Sequence, residues 1–346
     1  MTKFVLTLLF ICSLNLFSQN ITNPKKILNK IDKIISEEYE LNLKNISYPP
    51  DCTVIRVFKE ERECEIWAKD SQQDSLNLIM TLPVGSMDFA PGPKLKQGDC
   101  KTPEGFYYGN FAYYSSNWFM WIDLNNVEKS GKVGKGSAFR ICLNYPNEID
   151  RQHTQKAGFN NTGGAICVHG NSVSIGCVSL ENKDFAQIYA FSKHHNSSKY
   201  GRVQFHVFPF RFENKTVEEK ELLCKQYIHI KNYSTKNLLR LWKNLEFGYN
   251  LFNNNKKPLT IITNRKYMQE NDLSENIIII KKFLKEMVYY EGNIDFRFCA
   301  NLKKAIEQYQ KEKGVIADGI IGKETISILK NDGLVKISIE YIFVEN

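Results

Sequence analysis

The chain has 346 residues, 42% of them apolar, with 46 Lys and Arg against 38 Asp and Glu and a net charge of +8. That is long enough for two domains and ordinary for a soluble globular protein. The basic excess is spread along the chain, without an arginine-rich helix or aromatic–basic interleaving, which excludes nucleic-acid binding as the main function. A mild positive charge suits an anionic cell-wall surface.

Met1-Thr2-Lys3 opens the chain with one positive side chain, and Phe4 to Phe17 is almost wholly apolar before Ser18-Gln19-Asn20 turns polar. The run is too short to span a membrane comfortably. Residues 1–18 read as a secretory signal peptide, and the expected location is the periplasm or cell envelope. Cys12 follows Leu9-Phe10-Ile11, a poor lipid-attachment context. An uncleaved anchor is the alternative. Within residues 19–51, Ile27, Leu28, Ile31, Ile34 and Ile35 recur at helical spacing among Lys and Glu. They predict an amphipathic helix over 23–45, packed on the domain that follows.

Eight cysteines remain after cleavage: Cys52, Cys64, Cys100, Cys142, Cys167, Cys177, Cys224 and Cys299. No C-x-x-C pair suggests zinc. Cys142 and Cys167 sit in apolar runs and are expected as core thiols. Cys52 with Cys64, or Cys224 with Cys299, could form bridges.

From Thr53 the apolar period becomes two. Val54–Phe58 and Cys64–Trp67 flank a charged turn and predict a hairpin, and Leu76–Leu82 adds a strand. A turn-rich loop follows, with Gly92-Pro93-Lys94, Gln97-Gly98-Asp99 and Thr102-Pro103-Glu104-Gly105. Phe106 to Trp121 is dense in aromatics, read as strand core with an exposed edge. Arg140 to Asn147 is a strand ending in a turn.

The most informative stretch is Gly163–Leu180. Ala165-Ile166-Cys167-Val168 predicts a buried strand delivering His169-Gly170. A short loop leads to Ser174-Ile175-Gly176-Cys177. Folding back over eight positions could bring the His169 imidazole to the Cys177 thiol. A cysteine nucleophile needs such a partner, because the thiolate is the reactive species. Gly176 permits a sharp turn that could expose N–H groups to an oxyanion.

His169-Gly170 followed by Ser174-x-Gly176-Cys177 resembles the signature of the YkuD-type L,D-transpeptidase catalytic domain. The resemblance covers roughly 52–212. Gly98-Asp99-x-x-Thr102-Pro103-Glu104-Gly105 is similar to a family segment beside the cleft, and Tyr145-Pro146-Asn147 resembles the murein L,D-transpeptidase branch. The resemblance implies a mainly β catalytic domain, the L,D-transpeptidase fold, with flanking helices. It implies Cys177 as nucleophile, His169 as general base and the Gly170 carbonyl orienting the imidazole. It also implies an oxyanion donor at the Gly176 N–H and loop ordering by Ser174. Asn144 and Tyr145 could line the cleft and bind substrate. One departure stands out: many members carry Arg two positions after the cysteine, where this chain has Ser179.

Lys183–His194 predicts a helix and Val203–Phe210 a strand, with His206 structural. The His194-His195 pair lacks a third ligand, so no metal site is expected. Residues 213–268 form a helical extension, resembling the same branch. The stretch 272–332 resembles the small three-helix peptidoglycan-binding domain through Asp318-Gly319-x-x-Gly322-x-x-Thr325, and 333–346 is a strand-like tail.

The resemblance implies acyl transfer on peptidoglycan stem peptides through an acyl-enzyme on Cys177, with an amine acceptor and no cofactor. With water as acceptor, the protein would be an L,D-carboxypeptidase or amidase-like hydrolase. A non-catalytic wall-binding protein is the alternative from another class.

Overall fold

The computed structural model describes residues 29, 32–33, 46–114, 138–170, 174–227, 233–334 and 341–344. The apolar run Phe4–Phe17, most of the 23–45 helix and the aromatic stretch through Trp118 and Trp121 lie outside them. Asn29, Asp32 and Lys33 are helical. Asp32 accepts from the Tyr48 hydroxyl at 2.9 Å and meets Lys193 and His194, so this segment is fastened to the domain that follows.

Strands β1 (Cys52–Phe58) and β2 (Glu63–Lys69) form the predicted hairpin, and β3 (Asn77–Pro83) extends it. Then come β4 (Gly105–Tyr114), β5 (Ala138–Leu143), β6 (Cys167–His169), β7 (Val178–Ser179) and β8 (Gln204–Phe208). The eight make one curled sheet in the order β3-β2-β1-β8-β4-β5-β6-β7. The pairs β1–β8 and β6–β7 are parallel and the others antiparallel.

Strand β1 is buried along its whole length because both faces of the sheet are covered. Period-two alternation divides its side chains between two cores. Ile55 and Val57 join Ile66, Tyr107 and Phe205 beneath helix α2 (Asn182–Lys193), which contributes Phe185, Ile188 and Tyr189. Val54 and Phe58 join Trp67, Phe106 and Phe208 on the other face. There they meet α4 (Val217–Tyr227) and α5 (Thr235–Asn255), the latter through Leu241, Trp242, Leu245 and Phe252. Helix α1 (Glu148–Lys156) opens with a capping box between Asn147 and Asp150, and α3 is the short Ser197–Tyr200.

The three C-terminal helices are α6 (Glu275–Glu286), α7 (Ala300–Glu312) and α8 (Lys323–Asn331). Ile277, Ile280, Leu302, Ile306, Tyr309 and Leu329 form their core. The Asp318-Gly319 turn is held from inside by Gln310. Its Oε1 accepts from the Gly319 N–H and its Nε2 donates to Asp318 Oδ1, both at 2.9 Å. Gly319 has φ +71°, and a Cβ there would stand 2.6 Å from Lys303 Cγ.

The tail has a definite place. Strand β11 (Ile342–Val344) lies between β9 (Thr260–Ile262) and β10 (Asp272–Leu273) in a three-stranded antiparallel sheet. Alternation turns Tyr341 and Phe343 toward Phe106, with ring centroids at 5.2 and 5.4 Å, while Ile342 enters the C-terminal core. Gly248 of α5 comes so close that a Cβ would collide with Phe106 and sit 2.6 Å from Phe343. Phe343→Ala should lower the unfolding free energy in urea by about 3–5 kcal/mol, as for other buried aromatics. A loss under about 1 kcal/mol would mean that the tail is only loosely docked.

Candidate active site

The parallel register of β6 and β7 sets His169 opposite Ser179 and Val168 opposite Val178. Cys177 therefore comes beside Cys167. The Cys167 N–H donates to the Cys177 sulfur at 3.4 Å, and the thiol points toward the Ala165 carbonyl at 3.6 Å. Ala165 has φ +57°, a left-handed backbone uncommon for a residue with a Cβ. This kink precedes β6 and presents the carbonyl to the sulfur.

His169 is 5% exposed, and its Nδ1 lies 2.6 Å from the Gly170 carbonyl oxygen. The carbonyl can only accept, so Nδ1 carries the proton and Nε2 has the lone pair. Burial pushes the imidazole pKa down; the Gly170 contact opposes this and the Arg140 charge adds to it. Burial pushes the half-buried Cys177 thiol up, against the Cys167 N–H and the charges of Arg140 and Lys94. The resting pair is a neutral thiol and a neutral imidazole. Among the described residues no hydrogen bond joins the two.

The turn between them is ordered by one hydroxyl. Ser174 Oγ donates to the Cys177 carbonyl at 2.7 Å and accepts from the Gly176 N–H at 3.0 Å. The Gly176 N–H, expected as an oxyanion donor, is bonded to Ser174 inside the turn. Gly176 itself has φ +136°, and a Cβ there would lie 3.0 Å from the Lys101 carbonyl oxygen.

That carbonyl belongs to a loop built around two carboxylates. Asp99 accepts from the Leu95, Lys96 and Lys101 N–H groups and from Lys94 Nζ. Glu104 is fully buried. Its Oε1 accepts from Lys59 Nζ at 3.1 Å and from the Gly92 N–H at 2.6 Å, and its Oε2 from Trp242 Nε1 at 2.8 Å. Lys59 also donates to the carbonyls of Gly92 and Thr102.

Asn144 and Tyr145, expected at the cleft, each bond a backbone group. Asn144 Oδ1 accepts from the Tyr108 N–H at 2.8 Å, clamping the end of β5 to β4. Tyr145 is 6% exposed, and its hydroxyl donates to the Thr162 carbonyl at 3.1 Å. Both hold backbone through these atoms.

The cysteines also differ from expectation. Cys142 and Cys167, directly opposite on β5 and β6, form a disulfide. Cys52, Cys64, Cys224 and Cys299 are free thiols. Cys52 and Cys64 lie at opposite ends of the hairpin and in different cores. Burial pushes Cys52 and Cys224 up to about 12. His206, expected to be structural, is buried against Phe106, and His195 Nδ1 accepts from the Thr53 N–H. Sequence reasoning missed Arg140, whose charge reaches both His169 and Cys177.

Glu104→Ala would leave the buried Lys59 ammonium with Asp88 at 3.3 Å as its remaining carboxylate and the Gly92 N–H and Trp242 Nε1 without their acceptor, and should cost about 2–4 kcal/mol of stability in chemical denaturation. A loss below 1 kcal/mol would show that water reaches that site. Alkylation of Cys177 by iodoacetamide should keep rising with pH past the ordinary thiol value, because the thiol pKa is raised and the imidazole pKa lowered. A rate independent of pH around neutrality would instead reveal a preformed thiolate–imidazolium pair.

Residues 53–204 match the family model described as "L,D-transpeptidase catalytic domain", and residues 274–329 the model described as "Putative peptidoglycan binding domain". A curated relative, "Putative L,D-transpeptidase YafK" of Escherichia coli (strain K12), is 26% identical over 247 residues, 70% of this chain and 82% of the relative. The helical cell shape determining protein Pgp2 of Campylobacter jejuni aligns at 16% identity over 67% of this chain and 80% of its own, with a TM-score of 0.31. The SleB N-terminal domain aligns at 24% identity over 20% of this chain and 97% of its own, with a TM-score of 0.19. With the His169–Cys177 turn set in this sheet, the chain carries an L,D-transpeptidase-family catalytic domain followed by a peptidoglycan-binding domain.

Proposed function

We propose that the protein is a cysteine-dependent L,D-transpeptidase that remodels peptidoglycan, with stem peptides as both donor and acceptor. The observation that carries this reading is the fixed tautomer of His169. Its Nδ1 proton is held by the Gly170 carbonyl at 2.6 Å, which leaves Nε2 as a base on the strand beside the thiol.

The chemistry follows in balanced steps. A donor peptide brings the carbonyl of its third residue, a diamino acid, to Cys177. The sulfur attacks as the thiol proton passes to His169 Nε2. The Cys177 N–H would face the developing oxyanion, since the Gly176 N–H is engaged by Ser174. Collapse breaks the amide bond, and the imidazolium returns the proton to the departing D-alanine amine. The acyl-enzyme is then attacked by an amine of a second stem, whose proton goes to His169, and the regenerated thiol leaves a cross-linked product.

The charges arise only within each step, and free enzyme and acyl-enzyme both hold a neutral imidazole, which suits a buried site where a standing ion pair is costly. The reaction needs no cofactor. The peptidoglycan-binding domain points to the cell envelope, and secretion through residues 1–18 would place the enzyme there. Among the described residues, no helix is long and apolar enough to cross a membrane.

The deciding assay is mass spectrometry of products from purified disaccharide-tetrapeptide. The wild type should form a cross-linked dimer that Cys177→Ala abolishes. His169→Ala should reduce the rate by about 10²–10⁴. Tripeptide without dimer, still dependent on Cys177, would make water the acceptor and the protein a carboxypeptidase.

A further inference from the structure

Three cysteines stand in one row across β5, β6 and β7. Cys142 lies opposite Cys167 in the antiparallel pair, and the two are joined by a disulfide. The parallel register sets Val168 opposite Val178, so one step back Cys177 stands beside Cys167. The sulfurs of Cys167 and Cys177 share a neighbour, lying 3.7 and 3.6 Å from the Ala165 carbonyl oxygen. They are therefore no further apart than those two distances end to end. The Cys177 sulfur also accepts from the Cys167 N–H, which holds it on the β6 side of the turn. A free thiol thus stands next to the middle sulfur of the row.

A thiolate exchanges with a disulfide by attacking one sulfur while the other leaves. The attack runs along the S–S axis, from the side opposite the leaving sulfur. The row supplies that order, with Cys177 on the β7 side, Cys167 in the middle and Cys142 on the β5 side. His169 follows Cys167 by two positions on β6, so strand alternation puts its imidazole on the same face as the Cys167 sulfur. The other free thiols are placed differently. Cys52 and Cys224 are buried in one core and Cys64 in the other, and the exposed Cys100 turns its sulfur to the Gly98 carbonyl.

We propose that Cys142, Cys167 and Cys177 form a thiol–disulfide relay, in which Cys177 displaces Cys142 from Cys167 and is stored as a Cys167–Cys177 disulfide. In the step the Cys177 proton passes to His169, a bond forms between the Cys177 and Cys167 sulfurs, and the Cys142–Cys167 bond breaks. The proton is returned to the departing Cys142 sulfur, so no oxidant or reductant is consumed. The reverse step restores the thiol at 177. Storage as a disulfide keeps that sulfur off the irreversible sulfinic and sulfonic steps, and a small thiol can release it. The exchanged form has no free sulfur at 177 and would be silent in the acyl transfer proposed above. That consequence alone rests on the peptidoglycan reading.

The exchange is read without substrate, by disulfide mapping of the full chain made under oxidising conditions. Free thiols are trapped with N-ethylmaleimide in acid before trypsin digestion. No Lys or Arg lies between Lys156 and Lys183, so Cys167 and Cys177 share one tryptic peptide, while Cys142 falls in another. The resting form gives two linked peptides. The exchanged form gives one peptide closed on itself, with Cys142 alkylated. Holding wild type above the ordinary thiol pKa before trapping should convert the first into the second up to a plateau, faster as the pH rises and thiolate forms. Cys142→Ser should close the same one-peptide loop on treatment with diamide. Its activity on disaccharide-tetrapeptide should fall in proportion to the loss of alkylatable Cys177 and return with dithiothreitol. Absence of the one-peptide link in wild type at every pH overturns the relay, whatever the variant does. So does a link scattered among Cys52, Cys64, Cys100 and Cys224, which reports scrambling on unfolding. A one-peptide link with activity retained supports the relay and overturns Cys177 as the nucleophile.

Discussion

The geometry of the His169–Cys177 turn depends on a carboxylate buried one layer behind it. Glu104 is dry, and three segments converge on it: Lys59 just past β1, Gly92 in the loop before β4, and Trp242 in α5. A buried ion pair does little for stability unless the remaining lone pairs and protons are satisfied. Here they are, since Lys59 also reaches two backbone carbonyls. What the network secures is shape. It fixes the loop that carries Lys101, and the Lys101 carbonyl lies where any side chain at position 176 would have to go. The Thr102-Pro103-Glu104-Gly105 segment thus acts on the chemistry through packing, one layer behind the turn.

The same dryness decides the protonation state at the site. Burial disfavours both charged forms, so thiol and imidazole rest neutral, and the elements that oppose burial are backbone and cation rather than a carboxylate. The Cys167 N–H and Arg140 favour the thiolate, while the Gly170 carbonyl orients the imidazole without ionising it. Ser174 closes the arrangement by tying the Cys177 carbonyl and the Gly176 N–H to one oxygen. A hydroxyl can both donate and accept there, which neither an alanine nor a valine could do.

Local patterns in the sequence carried the hairpin, the helices on both faces and the spacing of His169 and Cys177, because each is decided within a few residues. The errors fall where the answer is long-range. Cys142 and Cys167 are separated by 25 positions, and only the pairing of β5 with β6 makes them neighbours. The bonds of Asn144 and Tyr145 to backbone groups of Tyr108 and Thr162 are likewise set by the fold and leave no local signature. Gly176 was correctly read as a conformational requirement, since a positive φ leaves a local signature in glycine. Whether its N–H faced outward depended on Ser174. Arg140 was hidden because strand parity and cross-strand register, not residue type, put it beside His169.

The tail shows how far such register reaches. In β11, one residue faces the C-terminal helices and its two neighbours face Phe106. On β4, alternation sends Phe106 into one core and Tyr107 into the other, where the Tyr107 hydroxyl donates to Asp150 at the start of α1 at 2.8 Å. The peptidoglycan-binding domain is therefore joined to the sheet by interlocked aromatic rings rather than by a slack linker. Gly248 lets α5 approach closely enough to complete that contact. The C-terminal helices, held this way, keep a fixed orientation to the His169–Cys177 turn, because an apolar interface of packed rings leaves little rotational freedom between the two.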